Sequence, residues 1–263
     1  MEPIAGLSAT MLALATLVMA VGAALQAAVG LGLALFVVPL LALIDVRLVP
    51  GPMLLASVAL AVMMAHRGRA AIDRRELGLS LIGLCIGTAV GAWGLSLVAP
   101  ASLTQLFALL ILLAVLVSLL GAGVRVSRGA LLAGGGAAGV MGTMVGIHGP
   151  PIALVFQNAE PAQARAMLGA FFAVGYAMSV TALAVVGLFG RQELTLGLLL
   201  LPGIGIGCAI APLVARFLDR GRLRIAILTI SGASAIARQH FPSVARPRAR
   251  ARGCRKSKAV AGR

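Results

Sequence analysis

The stretch GVMGTMVGIHGPPIALVFQ, residues 139–157, is apolar enough to lie in a membrane, yet its backbone chemistry does not suit an uninterrupted membrane helix. Gly146, Gly149, Pro150 and Pro151 fall within six residues. Each glycine costs a helix interior about 1 kcal/mol and each proline removes a donor, so a helix entering this stretch has to stop. Proline-directed crowding acting through Gly149 is expected to bias His148 out of the helical region. In lipid, the backbone groups freed by such a break are tolerable only where protein or a watery cavity supplies partners. The break therefore reads as a binding site.

A fainter copy lies at residues 22–39, GAALQAAVGLGLALFVVP, where Val29-Gly30-Leu31 answers Val145-Gly146-Ile147. The correspondence extends to Arg74-Arg75-Glu76-Leu77 with Arg191-Gln192-Glu193-Leu194, and to Gly87-Thr88-Ala89 with Gly207-Cys208-Ala209. Interrupted apolar segments at matching places in two halves are the sequence pointer to a secondary transporter's substrate site.

Composition sets the class. With 60% hydrophobic and 11% charged residues among 263, the chain is an integral membrane protein. The expected fold is all-α: a polytopic bundle of eight to ten transmembrane or re-entrant helices in two homologous repeats, each with a broken helix. One membrane domain is expected over 1–237, its repeats at about 7–120 and 129–237, followed by a basic tail at 238–263 read as disordered. The first apolar run follows Met1-Glu2-Pro3 without a basic n-region, so it is read as a retained span rather than a signal peptide. The net charge of +15 gathers in short loops and in the tail, where it reports orientation and not nucleic-acid binding. Cys85, Cys208 and Cys254 are too few and too scattered for a metal or disulfide framework, and no cofactor is expected.

Along the chain, apolar runs at 7–29, 77–98, 103–120, 166–189 and 194–214 are long enough to cross, while 33–44 and 53–65 are marginal and 223–237 is short. The 33–44 run is open to three readings: a half-helix, a re-entrant dip or a short tilted span. Orientation also stays open. Four spans per half put the 66–76 loop, Arg125, Arg128 and the tail on one side, and leave Arg216, Arg220, Arg222 and Arg224 on the other. Five per half invert the repeats and bring those arginines inside, but strand the tail outside.

His148 is the one ionisable residue inside a broken segment, which makes it a functional hypothesis as an anion ligand or proton relay. The bland alternative is a neutral ring bonded to freed carbonyls. Thr143 offers a hydroxyl and Gln26 a carboxamide one turn before each break. Substrate-binding side chains are therefore expected among Gln26, Thr143 and His148. Ser57, Ser179 and Thr181 lie on uninterrupted spans, where packing is the expected role. No second carboxylate or Ser/His/Asp set accompanies His148, so the chain is not read as an enzyme. Scarce intramembrane acids disfavour a cation site, whereas amide ends of half-helices suit a small anion.

At Gly146-Ile147-His148-Gly149-Pro150-Pro151, with Gly30-Leu31-Gly32 and Pro39 in the first half and Arg67-Gly68-Arg69-Ala70-Ala71-Ile72-Asp73 in a loop, the chain resembles the TauE/SafE family of sulfite-exporter-like permeases. It departs from that pattern at His148, where a glycine is usual, and at Leu33 and Ala34, where the first half is often glycine-rich. The resemblance implies transport of sulfite, organosulfonates or related anions across a bacterial inner membrane, with site elements at Gly30, Gly32, Gly146, Gly149, Pro150 and Pro151. The expected partners are a small anionic substrate, the lipid bilayer and protons as coupling ion. A non-transporting membrane scaffold and an anion channel are the competing readings.

Overall fold

The computed structural model describes residues 7–30, 33–98, 103–119 and 124–217. The expected span at 223–237, the tail at 238–263 and Gly32 lie outside the described residues. Within them are nine α-helices and no β-strand: α1 (Ala9–Val29), α2 (Leu33–Ile44), α3 (Gly51–Gly68), α4 (Arg74–Leu97), α5 (Leu103–Leu119), α6 (Arg128–Val145), α7 (Gly149–Phe156), α8 (Pro161–Val185) and α9 (Arg191–Phe217).

Local chemistry sets the helix starts. The Asp73 carboxylate accepts from the amides of Arg75 and Glu76 at 2.8 and 3.0 Å, and Ser127 Oγ accepts from Ala130 N at 3.1 Å. Both are side-chain caps on orphan first-turn donors. The Ser127 cap starts α6 well before residue 139, so the Gly134-Gly135-Gly136 run is helical despite its propensity. Five helical stretches are long and apolar enough to cross a membrane: α1, Val46–Ala71 around α3, α4, α8 and α9. At 12 and 8 residues, α2 and α7 rise only about 18 and 12 Å, short of the roughly 30 Å of hydrocarbon.

The outer surface is apolar. Ile82, Ile86, Val90, Trp93 and Leu97 form an exposed stripe along α4, and Leu14, Leu17 and Val21 do the same on α1. Buried polar side chains, among them Gln26, Thr143, His148 and Ser179, lie inside instead. A surface of this kind faces lipid.

Glycine contacts give the direction of each packed pair. On α4, Gly83, Gly87 and Gly91 meet in turn the backbone at Leu132, Gly136 and Val140 of α6, so the two helices run parallel. Gly203 and Gly207 of α9 likewise meet Thr16 and then Ala20 of α1, a second parallel pair. By contrast, α3 and α8 are antiparallel, with Gly68 on Ala166 and Gly169 on Met64 and Ala65. Thus α1 lies along α9 and α4 along α6, while α3 packs antiparallel on α8.

These directions sort the charges. Arg67, Arg69, Arg74, Arg75, Arg125 and Arg128 gather at the edge where α3 ends and α4, α6 and α8 begin. At the opposite edge Gly51 meets Phe189 and Glu193. There Asp45 holds Arg47 in a close ion pair, Nη2 to Oδ2 at 2.6 Å.

A side chain at Gly87 would have to push the α6 backbone away at Gly136, whereas Gly78 on the same helix has open space around it. Gly87→Ala is therefore expected to destabilise the detergent-solubilised protein by about 1–3 kcal/mol through overpacking. Gly78→Ala should be neutral or stabilise by up to about 1 kcal/mol through helix propensity. Paired thermal melts monitored by circular dichroism decide it.

Candidate functional site

Two helices stop inside the protein, and they stop in the same way. α1 ends at Gly30 with φ 91° and α6 at Gly146 with φ 84°, both left-handed, a region that glycine enters without a Cβ penalty. In each, the cap N–H reaches back four residues, Gly30 to the Gln26 carbonyl at 2.7 Å and Gly146 to the Gly142 carbonyl at 2.8 Å. The matching Val-Gly pairs at 29–30 and 145–146 are thus matching left-handed caps. After the second, the chain reverses: Gly142 lies on His148, and Gly134 lies on Pro151, Ile152 and Val155, so α7 folds back along α6 as a hairpin.

His148 occupies the tip of that hairpin, N-capping α7 with φ −86° and ψ −21°. This is helical backbone, contrary to the bias expected from the following prolines. Pro150 and Pro151 sit in the first turn of α7, where a missing N–H costs nothing and φ is already set. Among the first three residues of α7 only Gly149 keeps an N–H, so the row of amide donors expected at this half-helix is largely removed by its own prolines. Their role is to end one helix and start the next.

The donors and acceptors come from side chains. The His148 ring is fully buried, 0% exposed, and lies where a Cβ on Gly142 would be. Its Nε2 is 3.1 Å from Ser179 Oγ, which is 2.8 Å from Thr143 Oγ1. The Gly175 backbone lies against the Cδ2–Nε2 edge. Tyr176 packs edge-on to the imidazole with centroids 5.1 Å apart, and Phe172 stacks on Tyr176 at 5.6 Å. The Tyr176 hydroxyl has the Gln26 side chain as its hydrogen-bonding neighbour, and Gln26 Nε2 also reaches Met64 Sδ at 3.9 Å. A buried polar line thus runs from Gln26, below the first cap, through Tyr176, His148 and Ser179 to Thr143, below the second.

Two buried polar atoms near this line lack a partner among the described residues: His148 Nδ1 and Thr88 Oγ1. Thr88 lies on α4 against Gly139 of α6, one turn before Thr143. A buried polar atom left unpaired costs about 1–3 kcal/mol, and both atoms have capacity for a further hydrogen bond.

Of the residues singled out in the sequence, Gln26, Thr143 and His148 share this line. Gly30 and Gly146 cap the helices that carry it, and Gly149, Pro150 and Pro151 build the turn. Ser57 and Thr181 hydrogen-bond to the carbonyls of Met53 and Ala177 on their own helices. Ser179, read as packing, instead bridges His148 and Thr143. Tyr176 and Thr88 were not singled out as site residues. Tyr176 is the chain's one tyrosine and lies one turn before Ser179, which is the signal that could have found it. Among the described residues no group of three or more His, Cys, Asp or Glu is placed to hold a metal.

Because the ring of His148 fills the space above Gly142, the two positions should be energetically coupled. Gly142→Ala is expected to destabilise by about 1–3 kcal/mol. In a His148→Gly background most of that penalty should vanish, leaving a coupling of about 0.5–3 kcal/mol. A double-mutant cycle of thermal melts measures it, and additive effects would contradict the packing described.

No curated protein and no solved structure matches the chain. The family model for the sulfite exporter TauE/SafE matches residues 14–238, which takes in both helix caps, the α6–α7 hairpin and every member of the polar line. The chain belongs to the sulfite exporter TauE/SafE family, and with five helical stretches fit to cross a bilayer it is a multi-pass membrane protein of transporter type.

Proposed function

We propose that the chain is a secondary permease for a small anion, sulfite, an organosulfonate or a related organic anion, in the cell inner membrane. It works by alternating access of two inverted repeats, about 7–120 and 129–237, around the hairpin tips at Gly30 and Gly146. The observation that carries this reading is the buried polar line joining the two tips, with His148 Nδ1 left unpartnered at its centre. The exchange of partners supports the repeats: α1 with α9 and α4 with α6 are equivalent pairs, and α3 with α8 is self-equivalent and antiparallel, as inverted repeats require. Each half then comprises five segments, counting the expected 223–237 run in the second, and the second arm of each hairpin, α2 or α7, stops short of a full crossing.

Substrate is held by neutral donors: the His148 ring, the Thr143 and Ser179 hydroxyls, the Gln26 carboxamide and the Gly149 amide, with Gly30 and Gly146, whose own amides are bonded back into their helices, shaping the tips and Gly32 a further proposed contact. Among the described residues the partners of the His148 ring are Ser179 and Tyr176, and neither is a carboxylate. Recognition by hydrogen bonds is thus better supported than a proton relay, and proton coupling is an open arm of the test. Reconstituted vesicles offered sulfite, thiosulfate, sulfoacetate and short carboxylates should show saturable flux and counterflow of at least one. His148→Asn, which keeps a polar atom near Nδ1, should retain more flux than His148→Leu. Flux that does not saturate would make the chain a channel, and absence of flux a scaffold. Transport unchanged from pH 5 to 8 and without an imposed pH gradient would remove protons from the mechanism.

Orientation follows from the same geometry. The edge bearing Arg67, Arg69, Arg74, Arg75, Arg125 and Arg128 faces the cytoplasm by the positive-inside rule. In a cysteine-free background, Ala70→Cys should react with a membrane-impermeant maleimide only when the cytoplasmic face is open to it. Labelling from outside intact cells would invert the assignment.

A further inference from the structure

The first hairpin tip carries a cation that the polar line does not use. Arg165 lies one turn into α8, half-buried, with its Cα, Cβ and Cγ pressed on Gly30, so that any side chain at position 30 would run into the Arg165 stem. Among the described residues no carboxylate lies within ion-pair distance of it, whereas Arg47 at the opposite edge is neutralised by Asp45. A guanidinium keeps its charge under any physiological condition and presents a planar fork matched to oxyanions. Its placement is specific: it stands over the cap of α1, one turn from Gln26, at the edge where Arg67, Arg69, Arg74, Arg75, Arg125 and Arg128 gather.

We propose that Arg165 captures the anion at the arginine-bearing edge and hands it to the polar line that begins at Gln26. The proposal rests on the permease reading above. Capture at this edge fits the chemistry of the two tips. The Gly30 tip offers a full charge near water, where it raises the local concentration of anions. The Gly146 tip offers only neutral donors deep inside, which hold an anion without trapping it. The stem of Arg165 against Gly30 also ties the charge to the element that moves in alternating access, so movement of the tip alters the position of the capture group.

The test uses the full chain in proteoliposomes and the best-transported anion of the sulfite, thiosulfate, sulfoacetate and short-carboxylate panel. Arg165→Gln should raise KM about tenfold while leaving Vmax within about twofold, and should abolish the rise of KM with potassium gluconate seen for the unchanged chain. Arg165→Lys, which keeps the charge, should restore both KM and its salt dependence to within about threefold. An unchanged KM and salt dependence in Arg165→Gln would overturn the proposal and leave the permease standing. So would a fall in Vmax shared by both variants at constant KM, because that marks a packing role. If the unchanged chain shows no saturable flux of any anion in the panel, the permease reading fails and the capture role fails with it.

Discussion

A peptide group without a partner in hydrocarbon costs several kcal/mol, and this protein ends two helices in its interior. The arrangement at Gly30 and Gly146 answers that constraint. Each cap returns its N–H to the carbonyl four residues back and then turns the chain off the helix through left-handed backbone, which glycine adopts without a Cβ penalty. At the second break, Pro150 and Pro151 have no N–H to satisfy, and the Gly146 cap is covered by Met53, Val38 and Pro50. What the backbone cannot supply at the tips, side chains do. The polar line from Gln26 to Thr143 lies between the two caps because that is where groups other than hydrocarbon are needed.

Lipid offers helices no hydrophobic reason to associate, so the bundle is held by close van der Waals contact between small residues. Gly83, Gly87 and Gly91 set α4 almost backbone to backbone on α6, and Gly203 and Gly207 do the same for α9 on α1. The second of these pairings clamps the helix that carries Gln26, and the first clamps the one that carries Thr143 and Gly142. The hairpin arms α2 and α7 are short and depend on those clamped helices for their position. The site is thus placed by packed glycines, Gly91 among them lying against the Thr143 side chain, and the ring of His148 fits only because Gly142 leaves its side empty.

Much of this was legible in the chain. Glycine and proline act on their own backbone, so the stops near Gly30 and Gly146 could be read locally, and the paired Val-Gly steps marked them as equivalents. Apolar runs of crossing length stand out in the same local way. The chemistry of the site was less legible. Half-helix amides looked like the natural anion donors until the first turn of α7 proved to hold two prolines in place of donors. Ser179, Tyr176 and Arg165 sit on an uninterrupted helix, where spacing reports only which face a residue shares and not what stands opposite. The bias expected at His148 was not met, because proline crowds the residue directly before it, which is Gly149, and the His148 backbone is helical.

The amino-acid sequence by itself determined that the chain lives in a membrane, where its long apolar runs lie to within several residues, and that a Val-Gly step precedes each of the breaks at Gly30 and Gly146. Those are consequences of single residues and their immediate neighbours. Tertiary structure alone decided which polar groups meet. His148 finds Ser179 across 31 residues, and Thr143 finds the same hydroxyl across 36, because α6 and α7 fold into a hairpin against α8. A hydrogen bond depends on distance and direction in space, and a helix that looks uniform in sequence acquires a functional face only when another is packed on it.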